Sequence, residues 1–223
     1  MREPVLLAWS GGKDSALALR AVLARDIYRI TLLTTLTEGY NRVSMHGVRE
    51  ELLDDQARSL GLPLEKVWIP PACPHEIYAA RMEAALRKHL AQGCSRCFFG
   101  DLFLADVRAY REQNLGRLGM RAEFPLWGGD SRELAAAFLR DGFKAAIACV
   151  DGQALDGSFA GREYDRDFLA DLPPGVDPCG ENGEFHSFVY DGPIFTAPVR
   201  HRRGGVVLRD NRFFYCELLP QTP

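Results

Sequence analysis

A short apolar strand that runs directly into a glycine-rich loop is the feature that most restricts how this chain can fold. Residues 5–9 (VLLAW) are continuously apolar, as in a strand buried on both faces, and the loop 10–15 (SGGKDS) follows at once. From Asp14 to about Arg25, apolar residues recur at helical spacing. This pattern predicts a strand, a tight loop and a helix, whose first unpaired amides form an anion site.

The same alternation continues through the first half of the chain. Further strands are predicted at 30–36, 65–69, 97–100 and 121–125, and further helices at 48–60, 75–90 and 105–118. Such alternation predicts an α/β, Rossmann-like fold with a parallel five-stranded sheet and helices on both faces. Ligands of these sheets bind beyond the carboxyl ends of the strands.

Beyond residue 128 the regular alternation of strands and helices ends. A helix at 132–140 and a strand at 144–150 precede a segment rich in Gly, Pro and Asp. We then predict one short helix at 166–171 and short strands at 185–190, 194–199, 205–209 and 212–217. The chain is therefore expected to contain a nucleotide-binding domain at 1–128 and a smaller, substrate-binding C-terminal α+β domain at 129–223.

Charge and composition narrow the functional class. The net charge of −3 gives no general attraction to nucleic acid, and 47% hydrophobic with 26% charged residues is typical of a globular protein. Arg200 to Arg203 (RHRR) form a dense basic cluster, which we interpret as a solvated turn between two strands, with an anion or RNA contact as the alternative.

Neither a signal peptide nor a run of about 20 apolar residues is present, so a cytoplasmic location is predicted. The six scattered cysteines are expected to be reduced thiols. Cys94 and Cys97 form one zinc-like pair, but a structural zinc site needs four ligands, so metal binding there stays open.

Each residue type in the loop 10–15 suits a phosphate. Gly11 and Gly12 let phosphate oxygens approach the backbone, Lys13 adds a positive charge, and Ser10 and Ser15 add hydroxyl donors. The loop matches neither GxxxxGK[ST] nor GxGxxG. A simple helix cap is the alternative interpretation.

A second polar cluster occupies residues 179–193 (CGENGEFHSFVYDGP). Alternation along a strand would put Glu184 and His186 on one face, where they could act on one ligand. Carboxylates such as Glu181 can hold ammonium and accept its proton, an imidazole titrates near neutral pH, and Asn182 can orient a carboxylate or amide. A structural turn with solvated carboxylates is the alternative.

Other candidates lie where predicted strands end. Asp101 follows the fourth strand and, with Asp14, is a candidate Mg²⁺ ligand, although both could simply stabilise helix N-termini. Thr34 and Thr35 end the second strand, where the base or ribose of a nucleotide would lie, unless they are only strand formers. His46 is expected in a loop that contacts adenine or substrate, with a solvent-exposed position as the alternative.

The loop 10–15 resembles the PP-loop of the adenine nucleotide α-hydrolase superfamily, which includes the N-type ATP pyrophosphatases. This resemblance implies a HUP-type sheet and cleavage of ATP to AMP and pyrophosphate, with ATP and Mg²⁺ as cofactors. It also implies an AMP ester that ammonia, an amine or sulfur attacks.

Residues 180–193 (GENGEFHSFVYDGP) closely resemble the signature of diphthine-ammonia ligases, a branch of that superfamily. Residues 99–102 (FGDL) and 125–127 (PLW) resemble further elements of the branch, so the resemblance extends from the first strand to Pro193. It implies an ATP-dependent amide ligase that adenylates a carboxylate, such as diphthine on elongation factor 2, and transfers ammonia to it.

The sequence patterns and the resemblance together give a set of candidate site residues. The predicted catalytic residues are Lys13, Asp101, Glu181, Asn182, Glu184 and His186. The predicted nucleotide contacts are Ser10, Gly11, Gly12, Lys13, Asp14, Ser15, Thr34, Thr35, His46 and Gly100. The candidate Mg²⁺ ligands are Asp14 and Asp101.

Two regions depart from the branch, namely residues 39–48 and 102–108, and both are expected to touch the substrate. A relative that amidates another carboxylate is therefore an alternative. So are a sulfur-transferring, tRNA-modifying relative and a module that senses adenine nucleotides without turnover. A homodimer is left open, and a membrane partner is not expected.

Overall fold

The computed structural model describes residues 2–43 and 46–221. Its first sheet is built around five parallel strands: β1 (Glu3–Ala8), β2 (Tyr28–Thr37), β4 (Leu64–Ile69), β5 (Arg96–Phe98) and β6 (Arg121–Glu123). A two-residue strand, β3 (Arg42–Val43), pairs antiparallel with the end of β2. The predicted parallel α/β sheet is thus confirmed, with one short antiparallel addition.

Strand order places β1 at the centre of this sheet. β1 pairs with β2 on one edge and with β5 on the other, β4 extends the sheet beyond β2, and β6 extends it beyond β5. The first crossovers therefore run away from β1 in one direction, and the chain then returns to its other side at β5. Residues at the carboxyl ends of β1 and β5 meet at this change of direction, which is where open α/β sheets bind ligands.

Helices cover both faces of this sheet. They are α1 (Lys13–Leu23), α2 (Glu50–Leu60), α3 (His75–Leu90) and α4 (Ala105–Gly116). Apolar residues of α1 and α2 pack in the cluster that contains Leu7, whereas Leu86 of α3 and Leu115 of α4 pack in the cluster that contains Leu6. Because successive side chains of a strand point to opposite faces, Leu6 and Leu7 show that the two helix pairs cover opposite faces.

The second sheet is antiparallel, with strand order β8-β7-β10-β9. Its strands are β7 (Lys144–Asp151), β8 (Phe185–Asp191), β9 (His201–Arg209) and β10 (Phe213–Pro220). Two helices precede or interrupt it, α5 (Ser131–Arg140) and α6 (Arg166–Asp171), and a short 3₁₀ helix spans Gly157–Phe159. This arrangement agrees with the predicted smaller α+β part, whose boundary at residue 128 stays a prediction.

Two local predictions in this part are wrong. Residues 194–199 form turns instead of a strand, because the segment docks on α2: the Thr196 N–H and hydroxyl both bond to the Ser59 carbonyl. The basic cluster is not a turn, since His201 begins β9 and Arg202 and Arg203 pair with β10. Polar residues there belong to an exposed strand, a position that composition alone does not distinguish from a loop.

One continuous core joins the two sheets. Val5 and Leu7 of the parallel sheet belong to the same buried cluster as Ile147 of β7 and Phe188 of β8. Among the described residues, no helix combines the length and apolar character that a membrane crossing requires.

Candidate active site

A cavity of about 440 Å³ lies at the carboxyl ends of β1, β2 and β5. Its lining comes from the ends of β1 and β5 and the loops that follow them, from the last half of β2, from α3 and α4, and from the segment 180–186. The loop 10–15 and the segment 180–193, which are far apart in sequence, therefore border a single space.

The loop 10–15 is shaped by its own serines and glycines. Gly11 has a φ of +79°, which residues other than glycine rarely adopt. The Ser10 hydroxyl accepts the Gly12 N–H at 3.2 Å, and the Ser15 hydroxyl donates to the Gly12 carbonyl at 2.8 Å. No side chain caps α1 at its N-cap residue Gly12, and Asp14 and Ser15 of the first turn line the cavity.

Strand β8 holds this loop from behind. The Lys13 N–H donates to the Ser187 hydroxyl at 3.1 Å, and the Val189 N–H donates to the Gly11 carbonyl at 2.8 Å. A Cβ on Gly12 would lie 3.1 Å from the Ser187 carbonyl oxygen, so the two backbones are in close contact. The second sheet thus sets the position of the loop 10–15.

Gln56 of α2 is a residue that the sequence analysis missed. Its side chain is fully buried, and its amide nitrogen donates to the Gly11 carbonyl at 3.0 Å and to the Val189 carbonyl at 2.6 Å. Its amide oxygen accepts the Trp9 indole N–H at 2.9 Å. A polar residue on the apolar stripe of α2, beside Leu52 and Leu53, was the available signal.

Lys13 lies behind the loop and does not line the cavity. Its ammonium is 2.8 Å from Asp14 Oδ2, also donates to the Cys179 carbonyl, and lies 5.4 Å from the centre of the Phe185 ring. Burial opposes this charge, but Asp14, with the nearby Cys179, raises the pKa of Lys13 above its ordinary value. In this structure Lys13 is a charged link between the two loops.

Glu184 organises the segment 177–184 instead of facing the cavity. Its carboxylate accepts the N–H groups of Asp177 and Asn182, each at 3.0 Å, and the Asn182 side-chain amide at 2.9 Å. The Asp177 carboxylate in turn accepts the Cys179 N–H at 2.9 Å. The expected pairing of Glu184 with His186 toward one ligand is therefore not present, because the carboxylate satisfies amides of its own turn.

Glu181 does face the cavity. Its Oε1 accepts the Leu102 N–H at 2.7 Å, which connects the segment 177–184 to the loop after β5. Burial raises the pKa of Glu181 to about 7, and the nearby charges of Asp14 and Asp101 add to the shift. A carboxyl group with this pKa exchanges protons readily near neutral pH.

Two imidazoles line the same space. The rings of His46 and His186 lie with centroids 4.3 Å apart at an angle of 34°. Burial, followed by the effects of His46 and Lys13, lowers the pKa of His186 well below its ordinary value. His186 is therefore neutral at physiological pH and can donate or accept a hydrogen bond. Ser44 and Met45, which precede His46, lie outside the described residues.

The ends of β2 and β5 supply the remaining predicted contacts. Thr34 is 3% exposed and lines the cavity, and its hydroxyl has no hydrogen-bond partner among the described residues. Gly100 packs on the first turn of α1, where an added Cβ would lie 2.8 Å from the carbonyl carbon of Asp14. Asp101 forms an ion pair with Arg111 at 2.8 Å.

The structure separates the predicted site residues into two groups. Those that line the cavity are Ser10, Asp14, Ser15, Thr34, Thr35, His46, Gly100, Asp101, Glu181 and His186. Those that position its loops from outside are Gly11, Gly12, Lys13, Asn182 and Glu184. Catalytic roles for members of either group stay predictions.

Helices α3 and α4 add lining residues for which the sequence offered no signal. Tyr78 and Met82 of α3 and Tyr110 and Arg111 of α4 reach the cavity, and the Arg111 guanidinium lies 4.4 Å from the centre of the Phe99 ring. The helical periodicity of these segments shows which residues share a face, but not that two helices border one cavity.

Asp14 and Asp101 are the candidate Mg²⁺ ligands. Asp14 Oδ1 is buried without a hydrogen-bond partner among the described residues, and both carboxylates face the cavity. Within the described part of the chain, no cluster of three or more His, Cys, Asp or Glu side chains suits a metal by itself. Mg²⁺ bound to a nucleotide needs only one or two carboxylates, so this donor set fits it. Cys94 and Cys97 are free, buried thiols.

Comparisons with known proteins identify the family. The model of the diphthamide synthase N-terminal domain matches residues 1–122, and the model of the diphthamide synthase C-terminal domain matches residues 130–205. No curated protein matches the chain. Among solved structures, a predicted subunit of tRNA methyltransferase from Methanocaldococcus jannaschii is 19% identical, with a TM-score of 0.42 over 65% of this chain and 80% of that chain, a similarity too low to support an argument. Together the two family matches cover most of the chain, including the loop 10–15 and the segment 180–193, and the chain belongs to the diphthamide synthase family, the diphthine-ammonia ligases of the PP-loop ATP pyrophosphatase superfamily.

Proposed function

We propose that this chain is an ATP-dependent amide ligase that forms AMP and pyrophosphate and transfers ammonia to the carboxylate of diphthine. One observation carries the proposal: the anion-binding end of α1 and the Glu181 carboxyl face the same cavity. A phosphate loop and a proton acceptor are the two groups that adenylation followed by amide formation requires. The match of both family models supports diphthine as the acceptor.

In the first step a carboxylate oxygen of the acceptor attacks the α-phosphorus of ATP. The bond from that phosphorus to the oxygen bridging to the β-phosphate breaks, and pyrophosphate leaves. The Ser10 and Ser15 hydroxyls and the amides at the start of α1 hold the phosphates by hydrogen bonds. Mg²⁺, held by Asp14 and Asp101, would spread the negative charge of the phosphates.

In the second step the nitrogen of ammonia attacks the carbonyl carbon of the acyl-adenylate. The carbon–oxygen bond to AMP breaks, and one ammonia proton passes to a base. Glu181 is suited to accept this proton because burial raises its pKa to about 7. Neutral His186, which lines the same cavity, can orient the acyl group through a hydrogen bond.

Product analysis tests the reaction class. The chain is incubated with ATP, Mg²⁺, ammonium and elongation factor 2 bearing diphthine, and nucleotides and pyrophosphate are quantified. AMP and pyrophosphate in equal amounts, with one amide formed for each AMP, are expected. Release of ADP and phosphate would exclude the mechanism. AMP binding without any pyrophosphate release would instead indicate a nucleotide-sensing module, and turnover with a different carboxylate only would correct the acceptor.

A pair of lysine variants tests the loop. Lys13→Ala should reduce pyrophosphate release more than about 100-fold, because it removes the charge that joins the phosphate loop to the segment 177–184. Lys88→Ala, an exposed surface change on α3, is the matched control and should leave turnover within twofold. Full activity of a folded Lys13→Ala protein would show that the loop has been misassigned.

A further inference from the structure

Strand β9 has an open edge with an unusual exposed surface. Among the described residues it pairs only with β10, at the end of the second sheet. Val206, Val207 and Leu208 are 47%, 43% and 49% exposed. Successive side chains of a strand point to opposite faces, so apolar groups are exposed on both sides of this strand. Its free backbone N–H and C=O groups are a template for another strand.

The same strand carries positive charge only. Arg202, Arg203 and Arg209 lie on it, and no Asp or Glu occurs between His201 and Arg209. Arg203 pairs with Glu163, but in the described part of the chain no carboxylate lies within ion-pair distance of Arg202 or Arg209. Antiparallel pairing with a second copy of β9 would bring arginines together, whereas an acidic strand would be complementary.

One end of β9 lies close to the active-site cavity. A smaller cavity of about 130 Å³ lies at the end of β9 and is lined by Arg209 together with Tyr40, Arg42 and Val43. Val43 also lines the large cavity, so the two cavities share a wall. A segment aligned along β9 would therefore end beside a cavity that shares a wall with the candidate active site.

From these three observations we propose that the open edge of β9 binds an extended acidic polypeptide by strand addition. Backbone hydrogen bonds would provide the affinity, and alternate acidic and apolar side chains would meet the arginines and the exposed valines and leucine. Nucleic acid could use the arginines, but it would leave the amide edge and the apolar side chains unmatched. We assign this polypeptide to the protein that carries the acceptor carboxylate, an assignment that rests on the proposed function.

The test is a backbone-amide NMR titration of the isotope-labelled full chain without ATP. The probe is the hexapeptide Ac-Glu-Val-Glu-Val-Glu-Val-NH₂. Shifts concentrated in residues 201–209, with slowed hydrogen exchange at alternate amides of β9, are expected. The double variant Arg202→Glu/Arg209→Glu should weaken binding at least tenfold, whereas Arg132→Glu/Arg166→Glu, with the same charge change on α5 and α6, should leave it within twofold.

Several outcomes would overturn the proposal. The first is the absence of chemical-shift changes in β9. The second is that Ac-Lys-Val-Lys-Val-Lys-Val-NH₂, or the acidic peptide N-methylated at alternate amides, binds as tightly as the acidic peptide itself. The third is that hexathymidylate causes shifts and the peptide does not. Concentration-dependent dimers formed through β9 would assign the edge to a second copy. Since no nucleotide is present, a failure of pyrophosphate release would remove the proposed function without changing this result.

Discussion

At the scale of single residues, burial decides which polar groups are available for chemistry. Glu184 and Glu181 are three positions apart. The Glu184 carboxylate accepts hydrogen bonds from amides of its own turn, whereas Glu181 faces the cavity. Gln56, which no motif includes, makes three buried hydrogen bonds behind the loop 10–15. Residue type alone therefore does not show which of these side chains is available to a ligand.

Because the pKa of Glu181 is raised in the folded state, we expect the free energy of unfolding to depend on pH. Ionisation is harder in the folded state, where the pKa is about 7, than in the unfolded chain. The native state therefore loses stability as the pH rises from about 4.5 through 7. Glu181→Gln keeps an acceptor for the Leu102 N–H, so it should raise the free energy of unfolding relative to the parent at pH 8 but not at pH 4.

Urea denaturation of both proteins at the two pH values measures this difference. Glu112→Gln, on the exposed side of α4, is the control and should change stability by less than about 0.5 kcal/mol. An equal effect of Glu181→Gln at pH 4 and pH 8 would show that the carboxyl titrates at an ordinary pKa.

Gln56→Leu should destabilise the fold. The substitution keeps an apolar side chain of similar size but leaves the Trp9 indole N–H without its partner in the core. A buried unpaired donor costs about 1–3 kcal/mol, measurable by urea denaturation. Gln113→Leu on the exposed face of α4 should change stability by less than about 0.5 kcal/mol. Equal effects of the two changes would show that the buried hydrogen bonds of Gln56 do not stabilise the fold.

At the scale of elements, the first turn of α1 is held from two directions. β8 binds its loop through Ser187 and Val189, and the loop after β5 packs against it at Gly100. The position of the loop 10–15 therefore depends on backbone contacts between elements that are distant in sequence. Such close backbone contacts tolerate no added side chain.

Gly100→Ala tests the contact between β5 and α1. The new Cβ would meet backbone atoms of Asp14 at 2.8 and 2.9 Å, which cannot move without displacing the helix start. We expect a loss of about 1–3 kcal/mol in stability and at least a tenfold drop in pyrophosphate release. Gly116→Ala, at a glycine of α4 with open space, should be neutral or stabilising by up to about 1 kcal/mol. If the two variants behave alike, the backbone contact has no functional importance.

At the scale of the whole molecule, the two sheets share one core and one cavity. Residues of β1, β7 and β8 belong to a single buried cluster, and the cavity is complete only with residues 180–186. The boundary predicted at residue 128 therefore lies between parts that are packed together. Separate motion of the two parts would open the site.

Calorimetry tests this dependence. Because the shared core must be exposed for either sheet to unfold, the chain should show one transition whose calorimetric and van't Hoff enthalpies agree. Two resolved transitions would mean that the sheets unfold independently. Ser187→Ala, which removes the hydroxyl that accepts the Lys13 N–H, should lower the midpoint without splitting the transition.

Sequence patterns predicted the first half of the fold well. The helix predicted at 75–90 agrees with His75–Leu90, and the helix predicted at 48–60 agrees with Glu50–Leu60 to within two residues. Predictions were weaker in the second half, where 194–199 is not a strand and the basic cluster begins one. Short exposed strands have no regular apolar pattern, because neither of their faces is buried.

What the sequence determined by itself was the α/β class, the glycine-rich loop at the end of β1 and the family, because these depend on local periodicity and on contiguous motifs. Only the tertiary structure decided that Glu181 and not Glu184 faces the cavity, that Lys13 lies behind its loop, and that Gln56 joins the two sheets. These outcomes depend on which distant backbone satisfies each buried polar group, and that choice is made only when the sheets pack.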